Sequence, residues 1–213
     1  MLGGLRPHLR EITTAVARPI ARTGIRPNML SFLAVPLAAG AGLLELNRHF
    51  LPALLLAALA LSIDLIDGRV AEIQGRRTLF GNYFETLVDR MVDLLLVAPL
   101  VMHYPVASIL ALSLSMLVSY AKPRVGLVII TDNRDWPALG ERPERVGLLL
   151  GGLLLSSLGV RVHGMDALEA CLWITVAITL IGTVQRIVYA RQLIDEAERE
   201  GTVLPYLLEG RER

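Results

Sequence analysis

Six long apolar runs constrain this chain more than any other feature. They fall near residues 29–46, 51–68, 81–103, 106–130, 146–160 and 167–190. A helix needs about 20 apolar residues to cross the ~30 Å hydrocarbon layer of a bilayer. The runs therefore predict an all-α integral membrane protein with about six transmembrane helices. The chain has 213 residues, 54% of them hydrophobic, and a mean hydropathy of +0.54. It is too apolar for an ordinary soluble domain. A net charge of +1 offers no broad basic field for nucleic acid. Cys171 is the single cysteine, so an intramolecular disulfide is excluded. No internal repeat or low-complexity linker divides the chain, which reads as one domain.

One stretch, Asp64 to Asp93, breaks the apolar pattern: DLIDGRVAEIQGRRTLFGNYFETLVDRMVD. Asp64 and Asp67 are three residues apart and share a helix face, as do Glu85 and Asp89, four apart, with Gly81 one turn earlier. Two apolar helices would each deliver a carboxylate pair, joined by a loop around Gly75 to Thr78. Ionisable groups at membrane depth are costly and mark function by default. Four acids facing one pocket repel one another, and a hard divalent cation resolves the conflict with the oxygen ligands it prefers. A structural ion-pair cluster with Arg69, Arg76, Arg77 and Arg90 is the plainer alternative, but four acids at these spacings exceed what pairing needs.

These residues resemble the signature of the CDP-alcohol phosphotransferases. The family pattern is D-x-x-D-G-x-x-A-R followed, after eight residues, by G-x-x-x-D-x-x-x-D. Here it reads Asp64, Asp67, Gly68, Ala71, Glu72, Gly81, Glu85 and Asp89, with every spacing kept over 26 residues. Two residue types depart: Glu72 stands where the family has Arg, and Glu85 where it has Asp. The resemblance implies that a CDP-alcohol gives up its phosphate to a second alcohol with release of CMP. It implies Asp64, Asp67, Glu85 and Asp89 as ligands of Mg²⁺ or Mn²⁺, two ions in all, with Asp89 also the general base. It further implies that Asn28, Gly68, Ala71, Thr78 and Gly81 surround the nucleotide. Glu85 reaches one methylene farther than Asp. Glu72 replaces a cation with an anion where the nucleotide or its phosphates are expected, so that Arg69 or Arg76 must supply the charge or the nucleotide is held differently.

The remaining segments fit this frame. In residues 5–22, Leu5, Leu9, Ile12, Val16 and Ile20 recur at helical spacing among arginines. The basic amphipathic pattern favours a helix lying in the membrane interface over one packed on the domain. Gly24 to Ser31, GIRPNMLS, resembles the segment that opens the family's first membrane helix. Pro27 suits a helix start and Asn28 or Ser31 a cap, while the resemblance implies a nucleotide contact for Asn28. Ser119 to Arg124, SYAKPR, resembles a family stretch, with Pro123 as a departure expected to kink its helix. Glu141 to Arg145, ERPER, resembles the run before the family's fifth helix. Lys122, Arg124, Arg142 and Arg145 are thereby candidates for binding an acceptor phosphate, since Arg pairs bidentately with phosphate. Flanking positive charge with local Glu–Arg pairs explains the same residues. Arg186 reads as a snorkelling side chain, and Ile194 to Arg213 as a charged, solvated tail.

The arginines and the lysine fall almost entirely on one side of the six spans, which places both termini and the carboxylates at the cytoplasmic face of the cell membrane. The chain thus divides into an interfacial helix, 1–26, a six-helix catalytic domain, 27–191, and a cytosolic tail, 192–213. The expected activity is transfer of the lipid phosphate of CDP-diacylglycerol or CDP-archaeol to a small polar alcohol, such as inositol phosphate or glycerol phosphate. The family also contains members that attach an aminoalcohol to a lipid alcohol. A metal-binding scaffold of low activity and a cation transporter are the readings of another class. Leu-, Ala- and Val-rich outer halves speak against the transporter. A homodimer is implied by resemblance, with Gly151-Gly152 as a place where helices can approach closely.

Overall fold

The computed structural model describes residues 6–129, 136 and 138–204. Leu5, Arg134, residues 205–213 and the side chains of Leu9 and Ile12 lie outside the described residues. Among the described residues there are seven α-helices and one short hairpin: α1 (Arg6–Arg22), α2 (Pro27–Leu46), α3 (Phe50–Ile73), α4 (Leu79–Val97), α5 (Pro105–Val125), α6 (Arg142–Ser157), β1 (Arg161–Val162), β2 (Met165–Asp166) and α7 (Ala167–Glu200). They fall into two compact units, Met1–His103 and Tyr104–Arg213.

In the first unit, Pro27 opens α2 in its first turn, where the missing N–H costs no hydrogen bond. The cap position belongs to Arg26, in extended conformation and without a side-chain cap. The expected capping by Asn28 or Ser31 is therefore corrected: both lie inside the helix. The helices pack through small side chains. Ala34, Ala38 and Ala41 on α2, and Ala53, Ala57 and Ala60 on α3, are buried. Backbones can then approach closely without a large apolar driving force. At Gly42 an added Cβ would stand 2.5 Å from the Leu95 carbonyl oxygen and 2.7 Å from Pro99 Cγ, so α2 meets α4 almost backbone to backbone. Pro99 lies in the first turn of a 3₁₀ segment, Ala98–Met102, that follows α4. On α1, buried Ala17 packs with Leu30 and Val70, supported by Ile20, Ala21, Ile63 and Ile66, while Val16 is exposed.

Helix α3 ends in a built turn. Gly75 takes φ +63°. Its N–H donates to Glu72 O at 3.1 Å, and the Arg76 N–H reaches back to Ala71 O at 2.9 Å. This paired pattern is the Schellman motif, which needs the left-handed residue that glycine supplies cheaply. Gln74 Nε2 ties the turn to Ala21 O at 3.0 Å and Ile25 O at 3.1 Å. Thr78 then caps α4, its hydroxyl accepting from the Gly81 N–H at 2.9 Å.

In the second unit α5 and α6 pack on α7. Pro123 sits in the last turn of α5, which ends two residues later. Pro143 is in the first turn of α6. The hairpin pairs Arg161 with Asp166 and Val162 with Met165. His163 and Gly164 both have positive φ, as a tight two-residue turn requires. Gly152 is occupied within the chain: an added Cβ would lie 2.9–3.1 Å from Leu168 and Cys171. Only Gly151 remains open for the contact expected of the pair. Helix α7 does not stop near residue 190. Its 34 residues span about 51 Å, well beyond a ~30 Å hydrocarbon layer. Leu193, Ile194 and Ala197 pack with Val125, Ile129 and Trp136, and the Leu204 N–H donates to Val128 O at 3.1 Å. Leu193, Ile194 and Ala197 thus give this stretch one packed face at helical spacing, while Asp195, Glu196, Glu198, Arg199 and Glu200 stay exposed.

Among the described residues four helices, α2, α3, α5 and α7, are long and apolar enough to cross a membrane. Among the remaining runs, α4 carries Glu85, Asp89, Arg90 and Asp93. Helix α6 has 16 residues, about 24 Å.

Candidate active site

The carboxylate stretch forms the wall of a cavity of about 480 Å³ in the first unit. Asp67 reaches it from α3 and Glu85 from α4, with Gly68 and Ala71 on the α3 side. The α4 side adds Thr78 and Gly81, and the start of α2 adds Asn28 and Ser31. Helical spacing explains the arrangement: residues 67, 68 and 71 share one end of α3, and residues 81 and 85 one face of α4.

Asp67 is the best-held group. It is 2% exposed. Its Oδ1 accepts from the Gly68 N–H at 2.6 Å, and its Oδ2 accepts from the Ser31 hydroxyl. Each oxygen keeps further acceptor capacity. Glu85 and Asp64 both lie close enough to act electrostatically on Asp67. Glu85 Oε1 also stands 3.5 Å from where a side chain at 68 would begin. These oxygens suit a hard divalent cation. Among the described residues no three Asp, Glu, His or Cys side chains already converge on one point, as mutual repulsion between carboxylates dictates. Asp64 and Asp89 do not line the cavity. Asp89 lies one turn beyond Glu85 on α4 and Asp93 one turn further, paired with Arg90 at 3.1 Å.

Asn28, Gly68, Ala71, Thr78 and Gly81 all line the cavity. At Gly81 a Cβ would sit 3.0 Å from Thr78 Oγ1 and 3.4 Å from Asn28 Oδ1. Glycine there keeps both polar groups close to the backbone. The Thr78 hydroxyl accepts the cap bond and retains its own proton to donate. Ser31 is a site residue that the sequence reading used only as a cap. Its signal was its place on α2, one turn after Asn28, in the GIRPNMLS segment.

Glu72 differs from expectation. It is absent from the cavity wall and pairs with Arg69 on its own helix, with Arg77 3.7 Å away. Arg76 and Arg77 line the cavity, whereas Arg69 does not.

The basic candidates belong to the second unit. Lys122 and Arg124 stand in the last turn of α5. Arg142 and Arg145 occupy the first turn of α6. Arg145 is 7% exposed and donates to Gly140 O at 2.7 Å, bracing the loop before its own helix. Glu144 accepts from the Gly140 N–H at 2.7 Å. Gly140 has φ +72°, and Thr179 on α7 leaves no room for a side chain there. Arg186 corrects the snorkelling expectation. Its side chain is 11% exposed, donates to Val118 O at 2.5 Å and reaches Glu141 at 3.3 Å. It joins α5 to the head of α6 through its two terminal nitrogens, which suit fixed acceptors.

Known proteins resemble the chain in sequence and in fold. The chain is 32% identical over 198 residues to a phosphatidylinositol phosphate synthase of Corynebacterium glutamicum, covering 86% of this chain and 87% of that one. It is 32% identical over 187 residues to an archaetidylinositol phosphate synthase of Aeropyrum pernix, covering 84% and 90%. The fold matches crystal structures of Mycobacterium tuberculosis phosphatidylinositol phosphate synthase at 24% identity. One, with CDP-DAG bound, gives a TM-score of 0.71 and covers 84% of this chain and 94% of that one. Another, in complex with manganese and citrate, gives 0.70 with coverage of 84% and 88%. The family description CDP-alcohol phosphatidyltransferase matches residues 25–181, which include the whole Asp64–Asp89 signature. The chain belongs to the CDP-alcohol phosphatidyltransferase family.

Proposed function

We propose that this chain transfers the lipid-bearing phosphate of a CDP-lipid to an inositol phosphate and releases CMP. The observation that carries the reading is the cavity on which Asp67 of α3 and Glu85 of α4 meet Asn28, Thr78 and Gly81. The names of the similar synthases support inositol phosphate as acceptor and CDP-diacylglycerol or CDP-archaeol as donor. Asn28, Gly68, Ala71, Thr78 and Gly81 hold the cytidine nucleotide. Lys122, Arg124, Arg142 and Arg145 supply positive charge for the acceptor's phosphate.

In the reaction, Asp89 takes the proton of the acceptor hydroxyl. The freed oxygen forms a bond to the lipid-side phosphorus. The bond from that phosphorus to the bridging oxygen breaks, and CMP leaves with the electron pair. Two divalent ions, Mg²⁺ or Mn²⁺, held by Asp64, Asp67, Glu85 and Asp89, offset the charge on the phosphate and the leaving CMP when bound. Manganese in the similar synthase supports the metal.

The membrane arrangement completes the reading. Helices α4 and α6 join the four longer apolar helices to give six crossings over residues 27–191, the catalytic domain. The basic residues favour both termini and the carboxylates on the cytoplasmic face. Helix α1 lies along the interface with its inner side on α3, and the chain works as a homodimer.

CMP release by the purified protein tests the function. The assay supplies Mg²⁺ or Mn²⁺, CDP-diacylglycerol or CDP-archaeol, and inositol phosphate, glycerol phosphate, inositol or serine one at a time. CMP release dependent on inositol phosphate is expected. Asp89→Asn should lower it by about 10²–10⁴-fold, the range a general base contributes. No release from folded, metal-loaded protein overturns the activity. Release with glycerol phosphate alone overturns the acceptor.

A further inference from the structure

We infer that Arg76 binds the donor's diphosphate and replaces the cation that Glu72 removes from the family pattern. The inference rests on the donor reading above. Three arginines stand within a few residues of Glu72, and the structure separates them. Arg69 pairs with Glu72 and is not on the cavity wall. Arg77 is on the wall but shares the Glu72 carboxylate at 3.7 Å. Arg76 is on the wall and forms no ion pair among the described residues.

The backbone of Arg76 is anchored. Its N–H is bonded to the carbonyl of Ala71, itself a wall residue. The turn that carries it is pinned by Gln74 to the carbonyls of Ala21 and Ile25. The Cα is therefore fixed at the rim while the exposed side chain keeps its length and freedom. A guanidinium in that place can present two parallel N–H donors to a phosphate. It also balances a wall whose acidic members are Asp67 and Glu85. Glu72 is not on the cavity wall, so the substituted anion does not line the place of the same phosphates. The charge lost at one position of the helix has thus been relocated to the turn that ends it.

Equilibrium binding of CDP-diacylglycerol and, separately, of CDP-archaeol to the full-length protein in detergent with Mn²⁺ tests this, for the wild type, Arg76→Gln and Arg69→Gln. Loss of a charge-assisted bond should weaken binding about 10-fold in Arg76→Gln and leave Arg69→Gln within about 2-fold. Adding Glu72→Arg to Arg76→Gln should restore part of the loss. Circular dichroism confirms that each variant is folded. Wild-type binding with Arg76→Gln unchanged overturns the role of Arg76 and leaves the enzymatic reading standing, as does a loss confined to Arg69→Gln. No binding of either lipid by the wild type overturns the donor reading and the inference with it.

Discussion

Ser31→Ala isolates the contact that holds the central carboxylate. The Ser31 hydroxyl donates to Asp67 Oδ2 across a separation of 36 residues, linking α2 to α3. Both residues are buried, Ser31 at 5% and Asp67 at 2% exposure. The substitution removes one oxygen and leaves the space almost unchanged. A hydrogen bond to a charged group contributes about 1.5–3 kcal/mol, and a buried acceptor left unpaired costs a similar amount. For a chain of this size about 1 kcal/mol moves the melting temperature by about 2–4 °C, so Ser31→Ala should melt roughly 3–12 °C lower without metal. Loss of a partner that orients a metal ligand typically weakens metal binding by about 10–100-fold, and Mn²⁺ affinity should fall accordingly. Thermal unfolding in detergent with a chelator reads the first quantity, and Mn²⁺ titration the second. A double-mutant cycle with Asp67→Asn separates the bond from generic destabilisation. If Ser31→Ala and Asp67→Asn add within about 0.5 kcal/mol, or if Ser31→Ala binds Mn²⁺ like the wild type, the argument that Ser31 positions Asp67 is refuted.

Two further expectations follow from the same geometry. Chelation should abolish CMP release, and either Mg²⁺ or Mn²⁺ should restore it, since the cavity offers hard oxygen donors; activity that survives exhaustive chelation contradicts the metal role. Gly42→Ala places a methyl 2.5 Å from a backbone carbonyl of α4, which must move, at about 1–3 kcal/mol. Gly40→Ala meets only the flexible end of Leu56 at 3.2 Å and should be tolerated or stabilising; equal melting temperatures for the two variants would contradict the close α2–α4 approach.

The membrane-protein class and the carboxylate stretch were legible because both are local patterns. Apolar length, helical spacing and proline at helix starts act on residues close in the chain. Thus Pro27, Pro105 and Pro143 open their helices. Asp67 and Glu85 come to one cavity, whereas Asp64 and Asp89, which the same spacing grouped with them, do not line it. The last helix was read short because its final turns are charged overall. Yet Leu193, Ile194 and Ala197 keep one apolar face, and that face matters only once Val125 and Trp136 are there to cover it.

What the sequence by itself determined is therefore the helical class, the order of the helices and which residues share each face. Hydrogen-bond geometry and hydrophobic periodicity are properties of neighbouring residues. Only the tertiary structure decided that Ser31 serves Asp67 rather than a helix end, and that Arg76 rather than Arg69 stands at the cavity. It alone turned Arg186 inward to Val118 and Glu141, and committed Gly152 to packing inside the chain. Each of those outcomes is a choice among partners far apart in sequence. Such choices are settled by which groups the packed helices bring within a few ångströms, where an unpaired polar group is costly and a small residue is the one that fits.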